Sequence, residues 1–387
     1  MTPNLGRPLP ADELLNHQTA DLFSRVGESD LGWTEKIWFS IPKKDGSIQV
    51  DFGLGKYQNR NVFDGFAGIS RGREQWTVRG SRILSSDPTL LGVGPITYEI
   101  VEPLKTLRVH LAENEQQPVA YEVEFTALNP PFCEDRHLQL DEHGFRAVSD
   151  IVRFHQTGSV RGWLSIEGKK QDIAARDWIA FRDHSWGVRL DVGASPTDLK
   201  PARDWGDKDM ASADFLLNWS PMFMERPNGE RYEYHFYLQM RDRKPFYFSG
   251  YRNLQDGTQE RIARIRPELK YDDRTRRLQG GRIHFDMLNG ENRSVEVEVM
   301  GESGFHLGQA LYLGLDGKKH GMYRGDLFLE GEHVPDTLDR KTLERIHQVR
   351  DCIIRVREGD ATGYGIFESE VVGEWPEYGL TRENSFI

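Results

Sequence analysis

Lys36-Ile37-Trp38-Phe39-Ser40-Ile41 runs into Pro42-Lys43-Lys44-Asp45-Gly46 and restarts at Ser47-Ile48-Gln49-Val50. Apolar and polar side chains alternate on both sides of a turn built from Pro, Asp and Gly, which is the pattern of a β-hairpin. The same period of two returns over residues 121–128, 232–240, 245–251, 282–288 and 294–300, with Gly, Asn and Asp between the runs. Many short strands separated by turns point to a sandwich or an up-and-down barrel. Helical spacing is confined to two places. Asp12 is expected to cap a short helix running to Val26, with Leu15, Thr19, Leu22 and Phe23 on its stripe. A second is expected from about Asp339 to Val349 through Leu343 and Ile346.

The length of 387 residues suits two domains. A polar stretch containing Pro196 and Pro201 divides them, giving an N-terminal barrel over 1–190, a linker over 191–212 and a C-terminal barrel over 213–387. The octet Arg161-Gly162-Trp163-Leu164-Ser165-Ile166-Glu167-Gly168 echoes Arg324-Gly325-Asp326-Leu327-Phe328-Leu329-Glu330-Gly331, which suggests an internal duplication. The fold class is therefore all-β with few short helices, in two tandem antiparallel barrels.

Composition narrows the partners. With 37% apolar and 29% charged residues the chain reads as an ordinary globular protein, and its 11% aromatics, nine Trp among them, suit ligand pockets as well as cores. A formal charge of −11 offers no basic field to a nucleic acid or an anionic membrane. Two distant cysteines, Cys133 and Cys352, exclude a disulfide framework. No charged-then-apolar signal segment opens the sequence, and no apolar run approaches the roughly 20 residues of a membrane span, so a cytoplasmic protein is expected. A homodimer is left open.

The densest chemistry is Arg182-Asp183-His184-Ser185-Trp186-Gly187-Val188-Arg189. On a strand Arg182, His184 and Trp186 share one face and Asp183 and Ser185 the other. A His between an Arg and a Trp has the parts for proton transfer in an apolar cavity, since imidazole titrates near neutrality. The plainer alternative is that Arg182, Asp183 and Trp186 plug one end of a barrel. Tyr57, Asn59, Arg60, Asp64 and Arg71 lie in a Gly-punctuated stretch that suits a barrel mouth. Tyr98 and Glu99 are further candidates for a cavity wall, as are Trp219, Tyr234, His235 and Tyr251 in the second half. Glu368 and Glu370 share one strand face, which fits either an acid/base pair or exposed edge charges. No metalloprotease, P-loop, nucleophile-elbow or dinucleotide fingerprint occurs, and the 12 dispersed His assemble no metal site from spacing alone.

The Arg182–Arg189 element, with the strand over 162–168, the segment over 53–65 and the ending Gly363-Tyr364-Gly365-Ile366-Phe367-Glu368, resembles the AttH-like and carotenoid 1,2-hydratase-like superfamily. The resemblance implies tandem lipocalin-like barrels and cofactor-free chemistry on a small apolar, unsaturated or phenolic substrate. It also implies a site near the Arg182–Gly187 positions. The second half has no copy of that element, so the specialised site is expected in the first barrel or between the two. The leading expectation is a hydratase, lyase or isomerase. His184 would be its acid/base, aided by Asp64 or Glu99. Arg182 would hold the polar end of the substrate, with Trp186 and Tyr57 packed on its unsaturated part and Tyr98, Trp219 and Tyr251 lining the cavity. A carrier of an apolar ligand is the rival from another class, and barrels of this size bind such ligands routinely.

Overall fold

The computed structural model describes residues 6–18, 26–141, 144, 146–194, 196–198, 213–346 and 349–386. The first half forms β1 (Trp33–Pro42), β2 (Ile48–Tyr57), β3 (Val62–Arg71), β4 (Glu74–Ile83), β5 (Gly92–Val93), β6 (Ile96–Glu102) and β7 (Thr106–Leu111). It continues with β8 (Val119–Ala127), β9 (Phe132–Cys133), β10 (His137–Leu140), β11 (Ala147–Ile166), β12 (Lys169–Ile173) and β13 (Ala180–Val188). The second half forms β14 (Phe215–Glu225), β15 (Arg231–Arg241), β16 (Lys244–Leu254), β17 (Gln259–Tyr271), β18 (Leu278–Met287), β19 (Asn292–Val299) and β20 (Phe305–His306). Then come β21 (Leu327–Val334), the helix α1 (Arg340–Ile346), β22 (Arg350–Glu358) and β23 (Ala361–Val372).

The strands make two barrel-like antiparallel sheets, as expected of tandem lipocalin-like barrels. The second closes on itself, because β19 pairs with β18 on one side and β22 on the other. The first runs β21-β4-β3-β2-β1-β13-β11-β8-β7-β6-β5, with β9, β10 and β12 also held by β11. Its last member by sequence, β21, belongs to the second half yet pairs with β4 from Leu327↔Arg82 to Val334↔Gln75. The echoed octets thus occupy unlike positions: Arg161–Ile166 lies inside β11, whereas Leu327–Gly331 lies in an edge strand.

Burial along β1 and β2 explains how the halves join. Ile37, Phe39, Ile41, Val50, Phe52 and Leu54 point into the first barrel and fill it with Tyr98, Tyr121 and Phe125. The alternate residues Lys36, Trp38, Ser40, Gln49 and Asp51 are also buried, because the second barrel covers that face. A second apolar cluster along this seam includes Trp38, Phe181, Trp219, Phe223, Phe305 and Ile366.

One expectation is corrected. Of the helix from Asp12 to Val26, the described residues form a 3-10 turn at Pro10–Glu13, and residues 14–18 are not helical. Residues 19–25 lie outside those described, as does most of the proposed linker. Among the described residues no helix is long and apolar enough to cross a membrane.

Candidate functional site

Strand β13 separates the Arg182–Gly187 element into two networks. Its register against β1 (Glu35↔Trp186, Ile37↔His184, Phe39↔Arg182) is regular, so residues alternate strictly between faces. Gly187 maintains this register without a bulge. A Cβ there would stand 2.0 Å from the carbonyl oxygen of Asp150 on β11.

The inner face meets the N-terminal arm. Arg182, fully buried, donates Nη1 and Nη2 to the two carboxylate oxygens of Glu13 at 2.8 and 2.7 Å, and Nε to Gln156 Oε1 at 3.1 Å. Glu13 also accepts the Tyr98 hydroxyl at 3.0 Å and the Leu104 amide at 2.9 Å. Burial pushes the Glu13 carboxyl up, yet Arg182, His184 and these donors outweigh it and hold the group below its usual range. His184 Nε2 lies 3.0 Å from Glu35 Oε1, and the same oxygen meets His17 Nδ1 at 2.6 Å. His17 in turn stacks on Trp186, ring centroids 3.6 Å apart. Arg182, His184, Trp186 and Tyr98 therefore build a polar plug that seats the arm in one end of the first barrel. His184 is fully buried and faces this plug and the filled interior.

The outer face opens on a small enclosed cavity, about 30 Å³, at the seam between barrels. Asp183 and Ser185 from β13 line it with Lys36 and Trp38 from β1, Arg153 from β11, Arg189, Trp219 from β14, Tyr312, and Glu368 from β23. Arg153 bridges Asp183 (Nε to Oδ2, 3.0 Å) and Glu134 (Nη1 to Oε1, 2.8 Å), while Arg189 donates to Ser185 Oγ at 2.6 Å. Trp38 and Trp219 meet edge to face at 5.6 Å, and the Lys36 ammonium sits 4.2 Å from the centre of the Tyr312 ring.

Several polar groups here lack partners. The indole N–H groups of Trp38 and Trp219 and the Nε of Arg189 have no hydrogen bond. Neither the Lys36 ammonium nor the Glu368 carboxyl makes a hydrogen bond or an ion pair among the described residues. Buried polar groups are nearly always satisfied, so a cluster of orphans around one cavity calls for water or a ligand. Burial, reinforced by Arg189, lowers the Lys36 ammonium to about 7. Burial, with Asp183 and Glu134 adding to it against Arg153, lifts Glu368 to about 7. Glu370 rises to about 8 by burial and its neighbour Glu368. Behind them Asp351, in register with Glu368, is also pushed up by burial and by Glu368 and Asp51.

Sequence reasoning underrated this region. Glu368 and Glu370 sit on β23, which is paired on both sides, so they are not edge charges. Lys36, Arg153, Tyr312, His155 and Glu134 are not among the candidates that the sequence offers. His155 stacks on His235 at 3.9 Å and lies 3.0 Å from Glu233 across the seam. The signal available was a row of polar residues on an otherwise core-like strand pair.

The remaining candidates scatter. Asp64, buried, accepts the Gly321 amide at 2.8 Å and lies 3.6 Å from His320, with Tyr57 stacked over the same imidazole. Tyr312 packs against His320 at 5.0 Å, so this group adjoins the cavity from behind. Glu99 faces outward, 59% exposed, and pairs with Arg108 at 2.6 Å, which corrects its placement in a cavity wall. Tyr251 donates to Asp135 at 2.7 Å on the seam, whereas Tyr234 lies inside the second barrel and donates to Glu358 at 2.9 Å. Further along the seam a groove of about 510 Å³ is walled by Leu128, Trp178, Ile179, Phe223 and Tyr364.

The sequence matches, over residues 10–381, a family described as a family of unknown function, DUF8625. The chain belongs to that family. No curated protein matches it. Among solved structures, kievitone hydratase from Nectria haematococca aligns at 10% identity with a TM-score of 0.40, covering 96% of this chain and 98% of its own. CghA aligns at 9% identity with a TM-score of 0.42, covering 88% of each chain. Likeness of this degree carries nothing about chemistry in the DUF8625 protein.

Proposed function

We propose that the chain is an enzyme of the hydratase, lyase or isomerase type, acting on a small apolar unsaturated substrate at the seam between its barrels. The observation that carries this reading is the cavity that Lys36 and Glu368 line together with Trp38 and Trp219, whose indole N–H groups have no hydrogen bond. Glu368 is the proposed acid, displacing His184 from that role. Its raised carboxyl keeps a proton to near neutrality, where an ordinary glutamate has lost it.

In the hydration direction Glu368 gives its proton to an unsaturated carbon, and the faces of Trp38 and Trp219 shield the cation that results. A water in the cavity adds its oxygen to the cation and returns a proton to the Glu368 carboxylate, regenerating the acid. Arg153 and Glu134 fix Asp183 beside the reacting centre, as preorganised charge. A cavity of about 30 Å³ holds water alone. The substrate enters by displacing the ring side chains that line it, and the Phe223–Tyr364 groove offers an apolar wall on the same seam.

The test incubates the purified protein and its Glu368→Gln variant with apolar extracts in oxygen-18 water, followed by mass spectrometry. A compound that gains labelled water with the wild type alone supports hydration and names the substrate. A same-mass product formed by the wild type alone moves the chemistry to isomerisation at the same site. Compounds retained unchanged by both proteins replace the enzyme with a carrier.

A further inference from the structure

Outside the seam, three metal-ligating atoms of the described residues meet in the plug of the first barrel. We propose that His17, Glu35 and His184 form a site for one divalent transition ion of the zinc class, which fastens the N-terminal arm to β1 and β13. This stands apart from the proposed reaction and requires nothing of it.

The three donors come from distant parts of the chain and meet at one point. His17 Nδ1 and His184 Nε2 converge on Glu35 Oε1 at 2.6 and 3.0 Å, and all three donor atoms lie within 4.8 Å of one another. Tetrahedral zinc, with bonds of about 2.0–2.1 Å to nitrogen and oxygen, spaces its ligand atoms about 3.3 Å apart. Admitting the ion opens the 2.6 Å contact by about 0.7 Å and the 3.0 Å contact by about 0.3 Å. Two imidazoles and one carboxylate are a borderline-soft set that suits zinc, cobalt or nickel better than magnesium or calcium.

The surroundings match what such ligands require. Metal-bound imidazoles commonly turn their far nitrogen to a carboxylate, which fixes the tautomer. Here the far nitrogen of His17 lies 3.3 Å from Asp12 Oδ1, and that of His184 lies 3.9 Å from Glu13 Oε1. His184 is fully buried, and this second nitrogen has no hydrogen bond. Ring planes are held as well: His17 lies flat on Trp186, and Phe154 packs against His184 with centroids 5.3 Å apart. Arg182 already neutralises Glu13, which leaves Glu35 and Asp12 as the anionic groups of the site. Lys56, in register with Glu35, binds the Leu15 carbonyl at 2.7 Å on the arm. His17 retains 16% exposure, so ion and water have an entry. Spacing alone hid the set because each ligand belongs to a different element.

The test uses the full chain, stripped with chelator and titrated with Zn²⁺ by calorimetry and with Co²⁺ by visible absorption. One ion per chain is expected, with the intense visible bands of low-coordinate Co²⁺ and a higher melting midpoint when loaded. Asp12→Asn should weaken binding by about 10–100-fold, as loss of an outer hydrogen-bond partner does, and His17→Ala by more. Glu35→Gln should do the same, and if it fails to fold His17→Ala decides, since it alters only the arm. His333→Ala, at the surface beside Trp76, should bind as wild type does. Failure to take up a stoichiometric ion, or uptake that survives His17→Ala unchanged, overturns the proposal and leaves a hydrogen-bonded plug.

Discussion

Asp183 and His184 adjoin in sequence, face opposite sides of β13 and belong to two separate buried networks. Asp183 pairs with Arg153 at the seam, and His184 meets Glu35 in the plug. Substitutions on the two faces should therefore separate in effect, those inside changing stability and those outside changing chemistry.

The plug prediction concerns Glu13. Glu13→Gln leaves the fully buried Arg182 without its bidentate partner, and loss of one member of such a pair costs about 3–5 kcal/mol. Adding Arg182→Met to that variant should recover much of the loss, because an apolar replacement removes the stranded charge. Urea unfolding of the single and double variants measures both. A double variant no more stable than Glu13→Gln contradicts the account.

Stability should fall as pH rises toward 8. The Glu370 carboxyl titrates near 4.5 when free and at about 8 in the fold. Between these values the native state holds a proton that the unfolded chain has released, so the stability is full below 4.5 and is lost as pH rises to 8. Glu368 and Asp51, raised to about 7 and about 8, act with the same sign. Glu370→Gln, neutral at every pH, should flatten the upper part of the profile and exceed the wild type at alkaline pH. Denaturant midpoints across that range are the measurement, and parallel profiles would falsify the assignment.

Turnover should fall on the alkaline side. If Glu368 donates the proton, kcat should decline as pH climbs through about 7, where its carboxyl ionises. Glu368→Gln should lower kcat by about 10²–10⁴-fold, the usual worth of a positioned acid, with substrate binding largely kept. Retention of wild-type kcat by Glu368→Gln would move the acid to another residue.

Gly187→Ala tests the register of β13. The added methyl group meets the Asp150 carbonyl at 2.0 Å, and φ is +132°, where an L side chain is strained. A loss above about 2 kcal/mol is expected, from steric overlap and backbone strain together. A melting midpoint equal to wild type would show that β11 yields there at little cost.

The hairpin of β1 and β2 was legible because its turn and alternation are both local. What alternation could not say is what covers the polar face. Lys36, Ser40 and Asp51 are polar residues of the hairpin, and they are buried because the second barrel packs there. The same ambiguity hid Glu370, whose strand looks like an edge until both neighbours are known. The Arg182–Gly187 element was found, and its division between faces follows from strand geometry alone. Reading along the strand puts its chemistry on the His184 face and the proposed reaction uses the Asp183 face, because the arm bearing Glu13 and His17 meets β13 only through contacts far apart in sequence.

The pairing of β21 with β4 sets an order of events during synthesis. Arg79 on β4 binds Glu330 on β21, 251 residues later. At about 5–20 residues per second, a ribosome takes roughly 10–50 s to make the chain between them. Throughout that interval the emerging first barrel presents β4 as an unpaired edge, a template for pairing with other chains. Newly made protein should therefore lean on chaperones until its last quarter emerges, and neither barrel is a module that gene fusion could lift out whole.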